Sequence, residues 1–127
     1  MMMNKPIILI NLWGLGDLIA TLHIIKIHPS NNYQILTRQN PLVIKKMIDS
    51  FDIYSDIKII AKKSRVLLSL HVLRKMLSNN ILVFTSPLSG KSRKFAVFLS
   101  FFRNDIILSQ EGGNIYKNNE IIANQFN

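Results

Sequence analysis

The chain contains no cysteine, which removes disulfides and thiolate metal sites from consideration. Acidic side chains are scarce. Seven Asp and Glu stand against sixteen Lys and Arg, giving a formal charge of +9 and a pI near 10.1. A surplus of that size points to an anionic partner, and nucleic acid, phosphorylated sugars and anionic lipid all qualify. Long apolar runs are missing as well: the longest late one, residues 95–99 with Phe101 and Phe102 after Ser100, is too short to span a bilayer. Near the start, Lys5 precedes an apolar stretch, but Asp17 interrupts it and no small-residue cleavage pattern follows, so it reads as a strand and not a secretion signal. No internal repeat or flexible linker divides the sequence. Its 127 residues, 48% hydrophobic and 18% charged, fit one compact α/β domain spanning 1–127.

What is present is a regular alternation. Residues 7–12 lack helical periodicity and are rich in β-branched side chains, as in a parallel strand buried on both faces. Gly14 and Gly16 permit a tight turn, and Asp17 opens a helix whose stripe is Leu18, Leu22 and Ile25 with Ile19 and Ile27, ending near His28-Pro29. Residues 33–37 form a second strand. Asn40 caps the next helix, with Pro41 at its first position and Ile44, Met47, Ile48 and Phe51 on one face. Residues 57–61 are a third strand, followed by a basic loop and a helix capped by Ser64, with Val66, Leu70, Leu73 and Leu77 as its apolar stripe. Residues 81–85 and 105–108 supply two more strands, with a helix over 91–103 between them. The polar tail, 111–127, reads as a loop and a weak helix. Strand-helix repetition of this kind predicts a Rossmann-like three-layer α/β/α domain with a mainly parallel sheet and right-handed crossovers.

Several constellations invite a chemical reading. A strand, a bare turn and a helix N-terminus place the Asp17 carboxylate at the carboxyl end of a sheet, where open α/β folds bind ligands. Gly14-Leu15-Gly16 begins like a dinucleotide fingerprint, but the third glycine is replaced by Ile19, and the second strand ends at Thr37-Arg38 without an acid for a ribose. Ser89-Gly90-Lys91-Ser92 resembles a phosphate loop, yet Thr85 occupies its first glycine position and it follows the fourth strand. These residues suit a looser anion site instead, with Lys91 and Arg93 near free amides at a helix N-terminus. Lys62, Lys63 and Arg65 follow the third strand on the same sheet edge. The helix from Lys91 carries Phe95, Phe98, Leu99 and Phe102, assigned to core packing, with an anionic lipid surface as the competing role. His23, His28 and His71 show no metal spacing, and no nucleic-acid reader motif is present.

The run from Ile7 through Gly14, Gly16, Asp17 and Thr21 to Leu22 resembles the N-terminal segment of the heptosyltransferase-like glycosyltransferases, glycosyltransferase family nine. The resemblance implies the first half of a GT-B fold, with the C-terminal donor-binding domain absent from this chain. It also implies transfer of a sugar from a nucleotide-sugar donor to a lipopolysaccharide or related glycan, at the cytoplasmic side of the membrane. Asp17 matches the family's acid, the general base that takes a proton from the acceptor hydroxyl, with Gly14 and Gly16 keeping the approach open. By position, Lys62, Lys63, Arg65, Lys91 and Arg93 would face the acceptor's phosphates and acidic sugars. The implied partners are a phosphorylated glycan or glycolipid and a separate donor-binding domain, with no cofactor or metal of its own. The sequence departs from the family at Ala20 and His23, where heptosyltransferases often carry His and Pro. The alternative is a non-catalytic module that binds phosphorylated glycolipid or an anionic membrane surface.

Overall fold

A computed structural model, which describes residues 5–11, 15–29, 32–53, 57–85, 88–110 and 112–126, turns each β-branched run into a parallel strand. The strands are β1 (Ile7–Asn11), β2 (Tyr33–Thr37), β3 (Ile57–Ala61), β4 (Ile81–Phe84) and β5 (Ile106–Leu108). Between and after them run α1 (Leu15–Ile27), α2 (Pro41–Ser50), α3 (Arg65–Lys75), α4 (Gly90–Ser100) and α5 (Ile115–Asn124). The sheet order is β3-β2-β1-β4-β5, all parallel, so β1 lies at its centre, with Ile7 opposite Tyr33 on one side and Ile81 on the other.

Alternation along the strands divides the core in two. Ile7, Leu9, Tyr33, Ile35 and Val83 face α1, α2 and α5, where they meet Leu18, Leu22, Ile25, Ile44 and Ile122. Ile8, Ile10, Leu36, Leu82 and Phe84 face the opposite way, onto Leu68 and Val72 of α3 and Ala96 and Leu99 of α4. The central strand is therefore buried along its whole length, as a parallel strand covered on both faces must be. The three-layer α/β/α reading of the sequence holds.

Local chemistry sets the helix ends. Asn40 accepts a 2.8 Å hydrogen bond from the Leu42 amide, Ser64 accepts from Leu67, and Asn114 accepts from Lys117 at 3.1 Å, each satisfying an amide with no intrahelical partner. The last turn of α2 closes with the Asp52 amide on the Asp49 carbonyl and the Ile53 amide on Ile48. That pattern requires a left-handed residue at position 52, and Asp52 adopts φ 54°.

Four expectations need correction. In α1, Ile24 is buried and Ile27 is exposed, because α1 is covered by α5 as well as by the sheet. The polar tail is not a marginal helix: α5 packs along α1, buries Ile122 and Ala123, and fixes itself with Asn119 Nδ2 donating to the Ala20 carbonyl at 3.0 Å. In α3 the predicted stripe faces outward, with Val66, Leu70, Leu73 and Leu77 exposed, and the core contacts come from Leu68 and Val72. In α4, Leu99 is buried and Phe95 is half-buried against the core, but Phe98 and Phe102 are exposed and not in the core.

Candidate functional site

With β1 and β4 adjacent, the chain leaves β1 for the α1 side of the sheet and leaves β4 for the α4 side. The crevice of an open α/β fold forms at such a reversal, outside the carboxyl ends of the two strands. Asp17 lies in the first turn of α1 on one side of it, with a half-buried side chain. Gly16 belongs to the same turn, while Gly14 lies outside the described residues.

Beneath this crevice is a buried polar network. Asn11, Thr21 and Thr85 are 2%, 0% and 3% exposed, burial that polar side chains tolerate only when hydrogen-bonded. Asn11 Nδ2 donates to Thr21 Oγ1 at 3.0 Å, and Thr21 Oγ1 lies 2.9 Å from Thr85 Oγ1 and 3.2 Å from the Asp17 carbonyl oxygen. Thr85 Oγ1 also reaches the Ile10 carbonyl at 3.1 Å, where the Thr85 amide donates as well. The hydroxyls of Thr21 and Thr85 thus tie the ends of β1 and β4 to the first turn of α1. That fixes the backbone carrying Asp17. Sequence reasoning missed this network; its signal was three polar residues set among apolar ones, Asn11 at the end of β1, Thr85 just after β4 and Thr21 within α1.

The opposite side of the crevice is basic. Ser89 caps α4 in extended conformation without a side-chain cap hydrogen bond, Gly90 follows at φ +61° with open space around it, and Lys91 is exposed. Arg93 is half-buried and commits Nη1 to the Ser109 carbonyl at 3.0 Å, so it anchors the end of β5 to α4. Lys62, Lys63 and Arg65 follow β3. The Lys62 amide closes onto the Thr37 carbonyl at 3.0 Å, and the Lys63 carbonyl accepts from Arg38 Nε at 3.1 Å. These residues share the carboxyl rim, but β3 stands three strand spacings from β4, roughly 14 Å. Sheet order therefore puts Asp17 and the start of α4, with Lys91, on the two sides of the β1–β4 crevice, directs Arg93 to the end of β5, and sets Lys62, Lys63 and Arg65 apart.

The histidines outside this region serve packing: His23 meets Tyr116 edge-on at 5.7 Å, and His28 meets Phe126 at 5.4 Å. The buried Tyr33 phenol donates to the His28 carbonyl at 2.6 Å, and burial pushes its pKa up. Among the described residues, no cluster of His, Asp or Glu has the arrangement of a metal site. No described helix is long and apolar enough to cross a membrane. Compared with known proteins, the chain matches no family model, no curated protein and no solved structure.

Proposed function

We propose that this chain is the acceptor-binding half of a heptosyltransferase-like glycosyl transfer system, taking a phosphorylated glycan at the β1–β4 crevice. The observation that carries the reading is the position of Asp17, in the first turn after the central strand at the reversal point of the sheet. In this role its carboxylate accepts the proton of an acceptor hydroxyl while that oxygen forms a bond to the anomeric carbon of the donor. The nucleoside diphosphate then leaves from the opposite face with the electrons of the broken C–O bond, which inverts the configuration. Lys91, on the other wall, supplies positive charge for the acceptor's phosphates, and Arg93 holds the end of β5 beside it. The donor sugar is held by a separate domain.

Calorimetric titration separates the two substrate classes. The purified chain is expected to bind a phosphorylated core oligosaccharide and not ADP-heptose, with Lys91→Glu weakening the oligosaccharide about tenfold. Asp17→Asn is expected to retain oligosaccharide binding, and to abolish transfer when the chain is supplied with its donor-binding domain. Binding of the nucleotide sugar in place of the oligosaccharide, or of neither, would overturn this reading.

A further inference from the structure

Among the described residues, exposed leucines and phenylalanines gather on the outer side of the α3/α4 layer. Helical spacing opposes two sets of side chains on each helix. In α3, Leu68 and Val72 face the sheet, so Leu70, Leu73 and then Leu77 in the following turn face outward. In α4, Ala96 and Leu99 face the sheet, and the outward line carries Phe98 and Phe101 with Phe102 beside them. Phe101 is 80% exposed and Leu77 is 89% exposed. Phe98 and Phe102 stack edge to face at 5.3 Å, so the rings form one cluster.

The two sets meet at one corner. Arg103, next to Phe102, directs Nη1 to the carbonyl oxygens of Lys75 at 3.2 Å, and of Met76 and Ser78 at 3.3 Å. It clasps the end of α3 to the end of α4, near the exposed Leu77 and Phe102. Exposed rings and leucines gathered on one layer in this way mark an interaction site.

Charge identifies the partner. Residues 65–103, which carry α3 and α4, contain no Asp or Glu, and besides the cations already placed at the carboxyl rim they hold Arg74, Lys75, Lys94 and Arg103. Lys94 is exposed one turn before Phe98, and Arg74 follows Leu73. Burial, then the neighbouring charges of Lys58 and Arg74, hold the Lys75 ammonium below its ordinary pKa. A second copy seated on this face would bring like charge against like charge. An anionic leaflet offers phosphates to the cations and an apolar boundary to the rings.

We infer that the outer face of α3 and α4 docks the protein on an anionic phospholipid bilayer, with Phe98, Phe101 and Phe102 entering the headgroup–acyl boundary. The inference does not rest on the glycosyl-transfer reading, since it draws on the exposed rings of α4, which share a groove with Gly90 and Arg93 and do not include Asp17.

Flotation with vesicles tests it. The chain is expected to float with equimolar phosphatidylglycerol–phosphatidylcholine vesicles and not with phosphatidylcholine alone, and to lose about tenfold or more of that binding in high salt. The exposed triple substitution Phe98→Ser, Phe101→Ser, Phe102→Ser is expected to abolish flotation while leaving the circular dichroism spectrum unchanged. A single Phe101→Trp variant reads insertion without the triple change: its added fluorescence is expected to be quenched by brominated lipid. Flotation that survives the serine substitutions, or added indole emission in the Phe101→Trp variant that brominated lipid leaves untouched, would overturn the inference. So would concentration-dependent dimerisation abolished by the serine substitutions in a chain that ignores vesicles, since a second copy would then be the occupant.

Discussion

One hydroxyl, that of Thr21, links α1 to the ends of two strands. Replacing it with Val keeps the shape and removes the polar atom, so Asn11 loses an acceptor and Thr85 a hydrogen-bond neighbour within a dry region. The expected cost is about 1–3 kcal/mol in urea-unfolding free energy, with Thr21→Ser costing less because the hydroxyl survives. A charged cluster at the other end of the sheet behaves differently with pH. The Asp105 carboxylate accepts from Arg103 Nε at 2.8 Å and from Lys5 Nζ at 3.3 Å. The Arg103 hydrogen bond holds its pKa below the ordinary carboxylate range, Lys5 adds to this, and burial opposes it. A lowered folded-state pKa means that the stabilisation is present above the unfolded value, about 4, and is lost as pH falls through the folded value. Unfolding midpoints from neutral pH to pH 3 are expected to show wild type above Asp105→Asn, with the gap closing only at the acid end.

At the level of elements, the legible parts of the sequence were those where one pattern had one interpretation. Residues 33–37 and 57–61 are strands with the predicted bounds, and Asn40-Pro41 starts α2 because the cap and the fixed proline φ act within a few bonds. In α3 the pattern was degenerate. Val66, Leu67, Leu68, Leu70, Val72 and Leu73 surround the helix, so two opposed apolar stripes satisfy the same periodicity, and only the sheet decides which is inward. The phenylalanines of α4 misled for the same reason: residue type argued for burial, while Ala96 permits close approach to the sheet and turns the rings outward. Asp17 was visible because a strand, glycines and an acid are consecutive. The Thr21–Thr85 contact was not, because it depends on β4 lying beside β1. The end of α2 offers a test of local chemistry alone. Asp52 occupies a left-handed position, which costs a residue with a Cβ more than glycine, so Asp52→Gly is expected to raise stability by about 0.5–1 kcal/mol in thermal or urea unfolding.

For the molecule as a whole, the order β3-β2-β1-β4-β5 sorts charge and apolar surface into separate regions. The crevice lies at the carboxyl rim. The basic, aromatic layer belongs to α3 and α4, whereas α1, lying beneath α5, buries apolar side chains nearly all round. The same order also governs how the polypeptide is assembled. Strand β1 is synthesised first and meets β2 after one short crossover, but its other edge stays unpaired until β4 emerges, because Ile7 waits for Ile81. During that interval the ribosome displays an open strand rich in isoleucine, the type of edge that recruits other chains. Completion of β4 closes it, through a long-range parallel pairing of the kind that forms slowly.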